Sequence, residues 1–311
     1  MVLPVQLEGR LRLPAVAAPM FLTSGSELVI AACRAGVLGA FPALNQRTTE
    51  GFEQWLLEID AALSADDAPY AVNLIVHRTN PRVEADLERC IEHRVPVIIT
   101  SLGAVPDLVE KVHGYGGIVF HDVISRRHAE KAIEAGVDGL ILVSAGAGGH
   151  AGLMNPFAFV REVRSFFDGV VLLSGCISDG ASILAAQAAG ADLAYVGTRF
   201  IASEEARVSQ DYKQMIAESR MADIVYTPNV SGIPANFLRA SLVQAGLDPD
   251  APPQPHSPNL AEELNHEAKA WKDIWSAGHG VGSVNDVPSV ADLCARLEAE
   301  YRDALSSLPP R

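Results

Sequence analysis

Along the first 200 residues, short apolar runs alternate with stretches whose apolar positions recur every three or four residues. The short runs are Val16–Met20, Val37–Phe41, Tyr70–Val76, Val95–Thr100, Gly117–Phe120, Gly139–Val143, Val170–Ser174 and Leu193–Val196. Their aliphatic content and short length predict strands buried on both faces. Between them, Glu27–Ala35, Thr49–Leu63, Pro81–Arg94, Pro106–His113, Ser125–Ala135, Pro156–Phe167 and Asp179–Ala189 predict helices. In the second of these, Phe52, Leu56, Ile59 and Leu63 fall on one helical face. Three alanine-rich helices stop at Gly36, Gly136 and Gly190 just before a strand, a weak internal repeat of one strand–helix unit. Eight strands in this alternation predict an α/β protein with a (β/α)8 TIM barrel. A doubly wound open sheet is the structural rival.

The alternation stops near residue 200. Glu204–Ser219 predicts a helix, residues 223–259 an irregular proline-rich stretch, and Leu260–Trp275 and Ser289–Leu305 two more helices. The organisation expected is a barrel over 1–222 and a C-terminal, mainly helical addition over 223–311, packed on it as a lid or buttress.

Composition narrows the function classes. With 311 residues, 49% hydrophobic and 20% charged, the chain can bury a large core. A net charge of −14 disfavours nucleic acid and anionic membranes, but leaves room for a small anionic ligand bound by local donors. Cys33, Cys90, Cys176 and Cys294 are widely spaced, with no Cys/His metal pattern, so reduced thiols, no metal and a cytoplasmic location are expected. No apolar run approaches the roughly 20 residues of a membrane span, and no signal peptide is expected ahead of the first strand.

Barrels carry their sites at the C-terminal ends of the strands. The unusual residues of this sequence fall there: Ala18-Pro19-Met20, Asn73, Thr100-Ser101, His121-Asp122, the loop 146–152, Ser174-Gly175-Cys176 and Gly197-Thr198. The loop after the sixth strand carries Gly146, Gly148, Gly149 and Gly152 around His150, which lets backbone approach a ligand beside a side chain suited to proton transfer. The stretch 174–180 opens a helix whose amides would attract a phosphate, with Gly197-Thr198 adding donors. Tight turns capped by Ser178 or Asp179 are the alternative. Asn73 on a buried strand needs a partner, either a ligand edge or backbone at a bulge. His121-Asp122 is either a polar strand end or a ligand contact. His77, His93, His113 and His128 are expected to be solvated, His279 to sit in a turn, and Trp271 and Trp275 to share a packed helical face. The run 146–151 breaks the dinucleotide fingerprint at its third glycine, and neither a phosphate-loop lysine motif nor a nucleophile elbow occurs.

Taken together, these motifs resemble the nitronate monooxygenase (2-nitropropane dioxygenase) family, FMN-dependent TIM-barrel flavoproteins with a helical addition. The resemblance rests on Ala18-Pro19-Met20, Asn73, Gly148-Gly149-His150-Ala151-Gly152, Ser174-Gly175, Gly197-Thr198-Arg199-Phe200, Ser231-Gly232-Ile233-Pro234-Ala235 and Ala277-Gly278-His279-Gly280. It implies that Ala18, Pro19 and Met20 pass along the isoalloxazine ring and that Asn73 meets its polar edge. It implies that Gly175, Cys176, Gly197 and Thr198 hold the FMN phosphate. It places Gly148, Gly149 and the catalytic His150 beside flavin and substrate. The family often has a glycine where Cys176 stands, and a polar residue where Val143 stands. The implied reaction is oxidation of an alkyl nitronate by O2 to a carbonyl compound and nitrite, without nicotinamide. His150 would either take a proton from a neutral nitroalkane or hydrogen-bond the nitro oxygens. The partners expected are a nitronate or other small electron donor and O2, with self-association as a homodimer. Two alternatives share the barrel, an NAD(P)H-dependent enoyl-acyl-carrier-protein reductase and a quinone reductase; a more remote one is a non-catalytic FMN binder.

Overall fold

The computed structural model describes residues 3–308, apart from 78, 104, 231 and 254–272. Eight parallel strands close into a barrel, and helices fill the crossovers. In chain order the elements are β1 (Ala15–Ala17), α1 (Ser26–Arg34), β2 (Leu38–Pro42), α2 (Thr49–Ala62), β3 (Tyr70–Ile75), α3 (Val83–Glu92), β4 (Val97–Ser101), α4 (Pro106–Gly114), β5 (Ile118–Val123), α5 (Arg126–Glu134) and β6 (Gly139–Val143). They continue as β7 (Gly149–His150), α6 (Pro156–Arg164), β8 (Val170–Ser174), α7 (Gly180–Ala189), β9 (Leu193–Val196), α8 (Thr198–Ile201) and α9 (Gln210–Glu218). Next come β10 (Ile224–Thr227), β11 (Ala235–Leu238), α10 (Arg239–Gln244) and a last helix, α11 (Val290–Ser307). The barrel runs β1-β2-β3-β4-β5-β6-β8-β9 and closes where Val16 faces Tyr195. The open-sheet rival is thereby excluded.

Each barrel strand splits its side chains by parity. Val16, Ala40, Ala71, Val97, Ile99, Phe120, Ile141, Leu172 and Leu193 pack together inside the barrel. Their neighbours, such as Val72, Ile98, Val119, Leu142 and Leu173, pack outward against the helices. That parity decides which strand-end residue can see the interior.

Three expectations shift. The first strand stops at Ala17 rather than Met20, because Pro19 has no amide to continue the ladder. The helix expected from Glu204 begins at Gln210, where the Ser209 side chain accepts from Tyr212 N; residues 204–209 instead tie back to the barrel, Arg207 N donating to Thr23 O. The stretch 223–259 is not uniformly irregular: Ile224–Thr227 and Ala235–Leu238 form an antiparallel pair, Thr227 opposite Ala235. The helix expected over Leu260–Trp275 falls mostly outside the described residues, as does Trp271. Trp275 itself stacks on Tyr212, ring centroids 5.0 Å apart. Among the described residues no helix is long and apolar enough to cross a membrane.

Candidate functional site

The strand ends open into one cavity of about 1870 Å³. Ala18, Pro19, Met20, Asn73, Gly148, Gly149, His150, Gly175, Cys176, Gly197 and Thr198 all border it. So do Ser101, His121 and Asp122.

His150 is held by an arrangement with no local sequence signal. Gly149 and His150 form β7, which pairs antiparallel with β11, His150 opposite Ala235. The loop around it is fastened at three further points. Gly149 N donates to Ser276 Oγ at 2.6 Å, Asn236 Nδ2 to Ala147 O at 2.6 Å, and Tyr226 Oη to Ala151 O at 3.1 Å. Burial pushes His150 down to about 4, so its ring is neutral at pH 7.

The glycines of this loop serve a second purpose. A Cβ on Gly148 would come within 3.0 Å of Gly278 N, and one on Gly146 within 2.5 Å of Cys176 Sγ and 2.9 Å of His279 Nδ1. The segment 277–280 lies directly on the loop, and His279 N donates to Gly146 O at 2.9 Å. These absent side chains therefore make room for protein backbone as well as for any ligand.

At the seventh strand the chain turns through Gly175 (φ 117°) and Cys176 (φ 63°). Two of the first three amides of α7, expected to attract an anion, are already engaged. Asp179 accepts from Ser182 N at 2.7 Å, and Glu300 of α11 accepts from Gly180 N at 2.8 Å. Gly180 touches α11 so closely that a Cβ there would lie 2.2 Å from Tyr301 N. The capping alternative thus describes the helix end, with Asp179 as the cap. The strand-end turn itself remains open to the cavity. Ser178 Oγ, at its wall, is buried and makes no hydrogen bond. Thr198 Oγ1 accepts from Gly278 N at 2.8 Å and keeps its own proton to donate.

A chain of hydrogen bonds runs across β3, β4 and β5. Asn73 Nδ2 donates to Ile99 O at 3.2 Å and to Ser101 Oγ at 2.8 Å, and Ser101 Oγ donates to Asp122 Oδ2 at 2.6 Å. Asn73 thus finds its partners in a neighbouring strand. His121 and Asp122 part company by parity. Asp122 shares the inward phase of Ile118 and Phe120, where burial pushes it up to about 6. His121 shares the phase of Val119 and Val123, bonds Thr100 Oγ1 through Nδ1 at 2.7 Å, and is pushed by burial down to about 4.

Ser178, Arg207, Tyr212, Tyr226 and Ser276 also border the cavity but were not singled out as site residues. Four of them follow residue 200, where no period marks an inward face; Ser178 was visible only as a capping candidate. Arg207 lies over the Trp55 ring, 4.9 Å from its centroid. Among the described residues no group of three or more His, Cys, Asp or Glu stands together as a metal site.

The closed parallel barrel, with a glycine-rich histidine loop at its strand ends, has the architecture of a TIM-barrel enzyme, and the family match makes it a flavin oxidoreductase. The chain belongs to the nitronate monooxygenase family, whose model matches residues 78–300. It is 26% identical to a nitronate monooxygenase of Paraburkholderia phytofirmans, over 95% of this chain and 94% of that one. Among solved structures it resembles FabK from Thermotoga maritima, with TM-score 0.80 and 25% identity over 97% of this chain and 96% of that one. It also resembles a nitroalkane oxidase from Streptomyces ansochromogenes, with TM-score 0.79 and 24% identity over 96% of this chain and 99% of that one, a likeness of fold.

Proposed function

We propose that the cavity holds FMN and that the chain oxidises alkyl nitronates with O2 to a carbonyl compound and nitrite. Two features of the chain fit the cofactor. The unpartnered hydroxyl of Ser178 would gain an acceptor from a phosphate oxygen, which removes the cost of burying it alone. A Cβ at Gly197 would meet only Met20 Sδ, at 3.7 Å, so the backbone there is open to a ligand. Gly175, Cys176, Gly197 and Thr198 would hold the phosphate beside Ser178. Ala18, Pro19, Met20 and Asn73 would line the ring system, with Gly148, Gly149 and His150 at its reacting side. FMN, when bound, supplies the electron chemistry.

The state of His150 carries the nitronate reading. Held down to about 4, it is a poor base for a neutral nitroalkane at pH 7. The reading it suits is therefore one in which the substrate arrives already ionised and no proton has to be taken from it. The cavity wall draws such an anion: Arg47, Arg82, Lys131 and Arg207 border it, and Asp122 is the only carboxylate among the described lining residues of a chain with net charge −14.

Cavity size favours a second reading. About 1870 Å³ exceeds the usual pocket of roughly 300–1,000 Å³, and leaves room for a nicotinamide nucleotide or a long acyl substrate above the flavin. That reading is an NAD(P)H-dependent reductase of the enoyl or quinone type. One experiment separates them: the yellow protein is mixed with propyl-2-nitronate in air and, separately without oxygen, with NADH and NADPH. Nitrite release with no bleaching by either nicotinamide supports the monooxygenase. Rapid bleaching and no nitrite moves the assignment to the reductase.

A further inference from the structure

The hydrogen-bond chain across β3, β4 and β5 has a direction. Asn73 spends both amide protons, one on Ile99 O and one on Ser101 Oγ. Ser101 has a single proton and gives it to Asp122 Oδ2. All donors therefore point toward Asp122, and Asn73 Oδ1, an acceptor, is the group left for the cavity that Asn73 lines. An ionised carboxylate and a backbone carbonyl can only accept, so Asp122 fixes the direction of the Ser101 hydroxyl and acts with Ile99 O to fix that of the Asn73 amide. With an apolar residue in place of Asp122, Ser101 could donate to Asn73 Oδ1 instead, and only the bond to Ile99 O would then oppose an amide turned with its N–H groups to the cavity.

We propose that Asp122, acting through Ser101, is a positioning residue that holds Asn73 with Oδ1 toward the cavity, to accept the N3–H of a bound isoalloxazine. This rests on the FMN reading above. The pyrimidine edge of that ring presents acceptor, donor, acceptor, with the donor at N3. A reversed Asn73 would set donor against donor there, whereas the observed orientation pairs them. The cost of the arrangement is visible on the acid. Asp122 Oδ1 is buried without a partner, a position that packing alone would give to an aliphatic residue like the neighbouring inward Val143.

The same geometry makes the chain sensitive to protonation. Burial pushes Asp122 up to about 6, and once protonated it can donate to Ser101 and release the direction. The groups that face it are few. Ser101 and Asn73 do not titrate. Tyr195, inward on β9, has its proton held more firmly by burial and by the Asp122 charge. His121, bonded to Thr100 Oγ1, stands at the cavity wall with His128 and Lys131 of α5.

The test uses FMN and 3-methyl-FMN, which lacks the N3 proton. Each is titrated into the flavin-stripped full-length protein by fluorescence quenching, at pH 8 and pH 5. The wild type is expected to prefer FMN by about tenfold or more at pH 8, the scale of one hydrogen bond plus an unpaired donor, and to lose most of that preference at pH 5. Ser101→Ala and Asp122→Asn should prefer FMN by no more than about twofold at both pH values. Melting of the flavin-free proteins checks folding; should Asp122→Asn melt early, Ser101→Ala decides alone. A preference in these variants equal to that of the wild type overturns the positioning role while leaving FMN binding intact. A wild type that takes up neither flavin overturns the cofactor reading, and this inference with it.

Discussion

The β3–β5 wall and the wall built from β7, β10 and β11 face the same cavity but reach it by different means. In the first, consecutive parallel strands place Asn73, Ser101 and Asp122 inward by simple alternation. In the second, a two-residue strand is held by a partner about 85 residues further along the chain, with a seat at Ser276 still further on. The first wall carries two buried titratable groups displaced toward their neutral forms, Asp122 upward and His121 downward, and the second carries one, His150 downward. Burial acts on all three because it penalises charge of either sign. A barrel rung can hold a polar group on geometry that the strands supply in any case. A covering wall must assemble several long-range contacts to do the same.

Substitutions should separate the walls. The largest expected effect is at the covering wall: His150→Ala should retain flavin and lose on the order of 10²-fold in kcat, the upper scale of one hydrogen bond to a charged group, measured as nitrite release; unchanged turnover would remove His150 from the reaction. Acid stability comes next, and the two histidines pull against Asp122. His150 and His121 sit below their ordinary value of 6.5, so the unfolded chain takes up protons that the folded one refuses, and stability falls as pH drops from 6.5 toward 4. Asp122 sits above its ordinary 3.8, so between about 6 and 3.8 the folded state binds the extra proton and gains stability. Each contribution is on the order of 3 kcal/mol, leaving a net acid loss. Asp122→Asn should remove the offset, giving a more stable protein above pH 6 and a steeper fall below it; an identical pH profile in chemical denaturation would show that Asp122 is not displaced. The smallest effect is expected from Asn236→Ala, which removes the bond to Ala147 O and should cost about 1 kcal/mol of stability while raising KM more than it lowers kcat. A loss confined to kcat would mean that Asn236 acts on the chemistry rather than on the loop.

The same contrast explains what could be read in the chain. All eight barrel strands and most of the helices between them were legible, because buried strands and amphipathic helices leave periods in the sequence. The strand-end residues followed from the barrel rule. The β10–β11 pair was not legible: Ile224–Thr227 is four residues long and lies in a proline- and glycine-rich stretch, and its meaning depends on pairing with Gly149–His150. The occupation of the α7 helix end was not legible for a similar reason. Nothing near Gly180 announces that Glu300 will occupy its amide. Asp122 was visible as a polar strand end, but its separation from His121 follows only once the inward phase of β5 is fixed.

The contact between Gly180 and α11 orders events during synthesis. The turn at Gly175–Ser178 leads straight into α7, whose first amide is capped by Glu300 and whose first residue packs against the backbone of Tyr301. That end of the barrel is therefore finished by residues made some 120 positions later. While the ribosome is still adding them, the nascent barrel has α7 capped by Asp179 alone, with the Gly180 amide still without Glu300. The cavity wall at Ser178 reaches its final packing only after residues 290–307 have emerged and docked.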